Sequence, residues 1–375
     1  MKKVDVIILH EYGAPNHYIG LKHYLNRCGI YNEPQYKEFS ITRRLLKGVK
    51  DKNFKLIFKT IQNIKWLMLS FIFPLKNKDK YIVLGMAPLD WRIIFLCRIL
   101  KHATVIYHSS WTDWSNNNFP KKNIFAANII RSKWLFFLSQ KVSAIAAVTN
   151  ITANEIESFL LNKNKNKINV VYHAFDDIFL DNQVTAQPNS SEFKLNILFI
   201  GRLVTQKGIE KIIDLSIRHP YYKFTFVGSG DYSDILIKTK KNNISFMGYV
   251  ESKSELAKIC NENDIILLPS LRISGWEELF GISLIEAMAT GCIPLVTDHM
   301  GPKEILNCSK EFQQYIFTEE HFVNDASLAL KVFENDKSYL IDMKMLSRDC
   351  ARNFSIKSIS AQWEKVFYSA NNNNL

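Results

Sequence analysis

The run DIILLPSLRISGWEELFGISLIEAMATGCIPLVTD, residues 264–298, sets the reading of the whole chain. DIILLPS (264–270) and IPLVTD (293–298) are short, continuously apolar runs, the pattern of strands buried on both faces. Between them ISLIEAMA is helix-forming, and Phe280-Gly281 suits the turn that precedes it. Strand, turn, helix and strand make one βαβ unit, which implies a parallel sheet. Glu278 stands just before the glycine turn, and Glu286, after seven intervening residues, lies inside the helix.

The same alternation extends outward. LNILFIG (195–201), KFTFVGSG (223–230) and ISFMGYV (244–250) complete a series of five strands with helices between them. An earlier series comprises VDVIILH (4–10), YIVLG (81–85), ATVIYH (103–108), SAIAAVT (143–149) and INVVYHAF (168–175). Helical patterns lie around Ile19–Arg27 and at WRIIFLCRIL (91–100). The polar stretch DNQVTAQPNSSEF (181–193) separates the two series. The expected fold class is α/β, with two Rossmann-like doubly wound domains facing across a cleft at their carboxyl ends. The expected division is 1–180, a linker at 181–193, 194–353, and a final helix at 354–370. A length of 375 residues agrees with two domains.

Apolar residues make up 47% of the chain and charged residues 22%, which excludes global disorder. The six cysteines are far apart and form no CxxC pair, so neither a zinc site nor a disulfide framework is expected, and a reducing cytosol fits best. MKKVDVIILHEYG at the start reads as a first strand rather than a signal peptide. The net charge of +12 is uneven: through residue 180 there are 27 Lys and Arg against 12 Asp and Glu, a charge of +15, and the rest carries −3. The densest basic stretch runs from Arg43 to Lys80 and encloses WLMLSFIFPL. Its apolar run from Trp66 to Phe73 is far below the roughly 20 residues that span a bilayer. Two readings remain for it: a segment lying on an anionic membrane surface, or a core helix with a solvated lysine face. No nucleic-acid motif accompanies the charge, so no nucleic-acid partner is expected.

Several residue groups bear chemistry. In FIGRLVTQKG (199–208) a strand ends at Gly201, and Arg202 and Lys207 follow in a short loop, where two cations suit a diphosphate. VGSGDY (227–232) brings Gly228 to the end of another strand, where backbone can approach closely. A helix starting near Gly281 or Ile282 aims free N–H groups at an anion. Glu278 and Glu286 each suit a pair of neighbouring hydroxyls, because an ionised carboxylate accepts two hydrogen bonds. Ser283-Leu-Ile-Glu286 is equally the S-x-x-E signature of a helix capping box, in which Glu286 only satisfies backbone donors. His108, at the end of VIYHSSW, stands at a strand's carboxyl end; His10 has a weaker claim. No closely spaced acidic pair follows an N-terminal-half strand, and no metal cluster is evident.

Taken in order, GRLVTQKG, VGSGDY, FMGYV, DIILLPS and ELFGISLIEAMATGCIPLV resemble the C-terminal half of the retaining GT-B glycosyltransferases of family four, and Glu278/Glu286 matches that family's E-x7-E motif. The likeness is strong over 195 to about 306 and weaker in the N-terminal half. It implies that Arg202 and Lys207 bind the donor diphosphate, Glu286 the ribose and Glu278 the transferred sugar. It places the backbone of Gly201, Gly228, Val250, Phe280, Gly281 and Ile282 along the donor, and makes His108 the active-site histidine. Gly13 or Gly20 would lie near the phosphates, although HEYGAPNHYIG lacks the usual paired glycines. Leu279 stands where many members have glycine.

The implied reaction moves a hexose-type sugar from a UDP- or GDP-sugar to a hydroxyl, with retention, without a metal and without a cofactor beyond the nucleotide sugar. The expected acceptor is a glycan on undecaprenyl diphosphate, in lipopolysaccharide, O-antigen or capsule synthesis. The expected location is cytoplasmic, peripheral to the inner face of the plasma membrane. The rival readings are a nucleotide-sugar epimerase or hydrolase of the same fold, and a non-catalytic glycan- or nucleotide-sugar-binding subunit. Glu286 is expected to point beside Lys207 rather than back to the Ser283 backbone.

Overall fold

The structure is a computed structural model describing residues 3–11, 13, 15–114, 127–161, 164–181, 194–239, 241–273 and 275–373. It contains two compact units. Unit 1 comprises Met1–His173 with Lys357–Leu375, and unit 2 comprises Ala174–Ile356. From residue 182 onward the expected linker lies outside the described residues.

Unit 1 holds β1 (Val6–His10), α1 (Ile19–Cys28), β2 (Gln35–Glu38), α2 (Ile41–Lys50), α3 (Phe54–Ile72), β3 (Tyr81–Gly85) and α4 (Ile93–Ile99). It continues with β4 (Thr104–Ser109), α5 (Ala127–Phe136), β5 (Val142–Ala147), α6 (Asn150–Phe159) and β6 (Ile168–Val170). Its six parallel strands run in the order β2-β1-β3-β4-β5-β6. Ile8, Val83 and Ile106 sit side by side in β1, β3 and β4 and are fully buried, the centre of a sheet covered on both faces. The strand β2 escapes the sequence reading because QYKE is a short, polar edge strand with no apolar run.

Unit 2 holds β7 (Leu195–Ile200), α7 (Ile209–Arg218), β8 (Tyr222–Val227), α8 (Ser233–Lys238), β9 (Ile244–Gly248), α9 (Lys253–Asn261) and β10 (Ile265–Leu268). Then come α10 (Ile282–Ala289), β11 (Ile293–Thr297), α11 (Met300–Leu306), β12 (Ile316–Phe317), α12 (Phe322–Asn335) and α13 (Lys337–Ala351). The parallel order is β12-β11-β10-β7-β8-β9. Counted from β7, this is the 3-2-1-4-5-6 order of a dinucleotide-binding sheet. The sixth strand, β12, pairs through two residues only, too few to show a period in the sequence.

The last helix, α14 (Ile356–Asn372), belongs to unit 1 from Lys357 onward. It buries Ile359, Trp363, Val366 and Phe367. Gly20 in α1 is a packing residue: a Cβ there would meet Ile359 Cγ2 at 2.7 Å.

Two expectations are corrected. Cys308 and Cys350 form a disulfide, with Cα atoms 5.7 Å apart. They are 42 residues apart, and only the tertiary fold brings them together. The basic segment is only in part a core helix with a lysine face: Trp66 and Leu67 pack half-buried against the core and Lys55, Lys59 and Lys65 are exposed, but so are many apolar side chains. The residues that α3 buries are Thr60, Asn63 and Ser70, whereas Phe54, Phe58, Ile61, Met68, Phe71 and Ile72 are exposed. Among the described residues no helix is long and apolar enough to cross a membrane.

Candidate active site

In unit 2, β7 has β8 on one side and β10 on the other, so the loops leaving β7 and β10 diverge and open a crevice at the carboxyl ends. The β7 loop carries Arg202 and Lys207, and the β10 loop carries Glu278. Gly208 brings the two loops together. Its φ is +66°, and a Cβ would lie 1.9 Å from the Pro269 carbonyl oxygen, so only glycine allows this approach. Lys207 Nζ thereby donates to Glu278 Oε2, with both side chains nearly nine-tenths buried. The Ser270 hydroxyl donates to the same carboxylate oxygen at 3.4 Å. The Lys207 ammonium lies 5.2 Å from the Trp276 ring centre. Arg202 is exposed and has no side-chain partner among the described residues.

The Glu278 backbone is clipped to the turn after β11. Its N–H donates to His299 Nδ1 at 3.1 Å, and its carbonyl accepts from the Gly301 N–H at 3.0 Å. His299 Nε2 lies 2.9 Å from the Ser270 carbonyl oxygen. An amide only donates and a carbonyl only accepts, so the proton sits on Nε2 and the ring is neutral. Burial, the largest cause, with the Arg272 charge beside it, holds the His299 pKa below its ordinary value.

Gly281 caps α10 with a left-handed φ of 105°, and no side chain caps the helix. The first-turn N–H groups of Ile282 and Ser283 have no intrahelical acceptor and form the positive end of the helix. Ser283 sits inside the helix, so the capping-box reading of Ser283–Glu286 fails. The expected placement of Glu286 beside Lys207 also changes, because Lys207 is held by Glu278. Glu286 instead accepts from Lys253 Nζ. Burial raises the Glu286 pKa, Lys253 opposes the rise, and Asp176 adds to it. The S-x-x-E signature works one helix earlier: the Ser252 hydroxyl accepts from the Glu255 N–H at 3.3 Å. That cap starts α9 at Lys253, whose ammonium is 5.7 Å from the Phe179 ring centre.

Gly201 and Gly228 meet at adjacent strand ends. The Gly201 N–H donates to the Val227 carbonyl at 3.0 Å, and a Cβ on Gly228 would lie 1.8 Å from the Gly201 oxygen. Val250 follows β9, half-buried, and Phe280 packs edge-on against Phe354 at 5.9 Å between centroids.

In unit 1 the corresponding switch point lies between β1 and β3. There a cavity of about 190 Å³ is lined by His10, Glu11, His17, His108, His173 and Trp111, among others. His108 is buried, with Nδ1 3.2 Å from the Tyr18 hydroxyl. His17 and His173 rings lie 4.6 Å apart, and His173 and His108 rings 5.8 Å apart. Burial first, then neighbouring histidines, lowers the His108 pKa to about 3 and the His17 pKa to about 4. These imidazoles are neutral at pH 7 and offer one donor and one acceptor each. Gly13 is not among the lining residues; a Cβ there would lie 2.7 Å from Glu38 Oε1.

Sequence reasoning missed Lys253, His299, Gly301, His17 and His173. For His173 the signal was present, since it ends the run INVVYH as His108 ends VIYH. For Lys253 no signal existed, because its partner lies 33 residues further on.

Two parallel doubly wound units of this kind define the GT-B fold. Over residues 182–348 the chain matches the family described as "Glycosyl transferases group 1". A Klebsiella pneumoniae protein, "Uncharacterized 41.2 kDa protein in cps region", is 35% identical over 144 residues, 36% of this chain and 37% of that protein. Matched segments span between 37% and 61% of the length of the curated relatives. Anabaena HepE, solved in complex with UDP, is similar in fold, with a TM-score of 0.67, 13% identity, and 98% and 100% of the two chains covered. The lipopolysaccharide outer core galactosyltransferase WaaB in its apo form has a TM-score of 0.62, 14% identity, and 98% and 99% coverage.

Proposed function

We propose that the protein transfers a hexose-type sugar from a UDP- or GDP-sugar to a hydroxyl of a lipid-linked glycan, in surface polysaccharide synthesis. The observation that carries the reading is the grouping of Lys207, Glu278 and the α10 N-terminus at the switch point of unit 2. An arriving diphosphate competes with Glu278 for Lys207. It is then held by Lys207, by Arg202 and by the N–H groups of Ile282 and Ser283. The displaced Glu278 carboxylate is released to accept from sugar hydroxyls. Glu286, paired with Lys253, takes the two ribose hydroxyls.

Charge develops on the diphosphate as the glycosidic bond breaks, and the two cations and the helix end oppose that charge. In this reading they fill the role that a divalent metal has in other transferases, and the new bond forms on the face the nucleotide leaves. In unit 1, neutral His108 is assigned to a sugar hydroxyl. The UDP bound by HepE supports UDP as the nucleotide. The cps-region relative and the lipopolysaccharide galactosyltransferase support a surface polysaccharide as product. The basic α2–α3 face supports an anionic membrane surface as partner, with the protein peripheral to the cytoplasmic side.

A thermal-shift screen of UDP- and GDP-sugars tests this: one of them raises the Tm of the wild type and not of Lys207→Ala. A wild type indifferent to every nucleotide sugar defeats the proposal. Proton NMR of the anomeric linkage reads the stereochemistry, and nucleotide release without acceptor favours a hydrolase.

A further inference from the structure

The α3 helix is apolar on its outer side as well as its inner one. Trp66 and Leu67 pack half-buried against the core, its fully buried residues are Thr60, Asn63 and Ser70, and Phe54, Phe58, Ile61, Met68, Phe71 and Ile72 are exposed. The neighbouring α2 adds exposed Leu46 and Val49. Where α3 meets α4, a groove of about 340 Å³ is walled by Leu67, Met68, Phe71, Phe95, Leu96 and Ile99, with Arg92 as its only charged lining residue among the described residues. Arg92 is already engaged by Asp90 and Glu11, so the groove offers a ligand almost nothing but hydrocarbon. Around it the charge is of one sign. Lys55, Lys59, Lys65, Lys76 and Lys78 are exposed, and no acidic residue occurs between Lys52 and Lys78. Arg98 donates to the Phe71 carbonyl at 2.7 Å and lies 5.2 Å from that ring, fixing the end of the groove beneath a cation.

We propose that this face lies on an anionic bilayer and that the α3–α4 groove receives one hydrocarbon chain of a membrane lipid. The inference deepens, and rests on, the membrane partner in the function proposed above. A cationic rim around an apolar groove is complementary to an anionic headgroup on an aliphatic chain. A second copy of the chain fits poorly, because pairing two such faces sets lysine against lysine. The groove volume lies within the usual range of roughly 300–1,000 Å³ for small-ligand pockets.

The test is vesicle binding by the full chain, with neutral phosphatidylcholine vesicles compared with vesicles containing phosphatidylglycerol. Bromines on the acyl chains report hydrocarbon contact by quenching the emission of Trp66 and Trp91. The expected result is at least tenfold tighter binding to the anionic vesicles, weakening with salt, with quenching reduced in a Trp91→Phe variant. Met68→Glu, at an exposed groove position, abolishes the quenching, and Leu328→Glu, exposed on α12, leaves it unchanged. Equal binding to both vesicle types overturns the proposal, as does Met68→Glu quenching like the wild type. So does lipid-free dimerisation that Met68→Glu abolishes, because the occupant is then a second copy. Thermal shift by nucleotide sugars, run on the same variants, separates the two readings. An intact donor response in a protein that ignores vesicles removes the lipid site alone, and the converse removes the donor site alone.

Discussion

Lys207 and Glu278 form an ion pair between two loops that leave neighbouring strands, 71 residues apart in the chain. The pair is largely shielded from water, so each charge depends on the other. Lys207→Met leaves Glu278 unpaired and lowers unfolding stability by about 1–3 kcal/mol. Adding Glu278→Gln recovers most of that loss without recovering nucleotide-sugar binding. Urea unfolding and thermal shift on the single and double variants read both quantities. A double variant as unstable as Lys207→Met alone would show that the pair is not the source of the loss.

Arg202 offers the opposite contrast. It is exposed and unpaired among the described residues, so Arg202→Ala leaves stability within ~0.5 kcal/mol of wild type. If it binds the diphosphate, the same change weakens nucleotide-sugar affinity about tenfold or more. Isothermal titration with the donor found in the screen measures this.

In the function proposed above, Lys253 is a positioning residue that acts on the donor through Glu286. Burial raises the Glu286 pKa, and Lys253 is the main opposing influence. In Lys253→Met the carboxyl keeps its proton to higher pH than in the wild type. The folded protein then holds a proton that leaves only as pH rises, so nucleotide affinity falls below that of the wild type and recovers as pH is raised. Lys253→Arg restores the wild-type profile. A flat pH profile for Lys253→Met would falsify this role.

The histidine cavity of unit 1 makes stability fall in acid. His17 and His108 have folded pKa values of about 4 and about 3, below the ordinary 6.5. Below pH 6.5 the unfolded chain therefore binds more protons than the folded one. The stabilisation is complete above 6.5 and is lost as pH falls towards 4 and 3, at about 1.4 kcal/mol per unit for each histidine. Denaturant midpoints at pH 7.5 and 5.5 should differ for the wild type and differ less for His17→Asn. Equal slopes in the two proteins remove His17 from the account.

Much of unit 2 was legible because its strands are buried on both faces and read as unbroken apolar runs, and because Arg202, Lys207 and Glu278 lie in loops between such a strand and the next helix. What was illegible depends on partners distant in sequence. Glu286 satisfied a capping pattern and a ligand pattern equally, and its actual partner, Lys253, belongs to another helix. The hydroxyl that caps is Ser252, which has the same spacing to Glu255. Strand β2 carries polar residues at a sheet edge, and β12 is too short to show alternation. The exposed phenylalanines of α3 were visible as composition, but their outward direction is a property of packing.

Unit 1 takes part of its core from the far end of the chain. Trp363 lies 5.7 Å from the His108 ring and 6.4 Å from Tyr18, and Phe367 stacks on Tyr81 at 5.1 Å. On the ribosome, then, unit 1 cannot close before unit 2 is made. Its sheet emerges before unit 2 and waits, without Trp363 against His108, while all of unit 2 is synthesised. Trp363 and Phe367 are translated only after unit 2, so the sheet they cover stays open to chaperones and proteases while unit 2 is made.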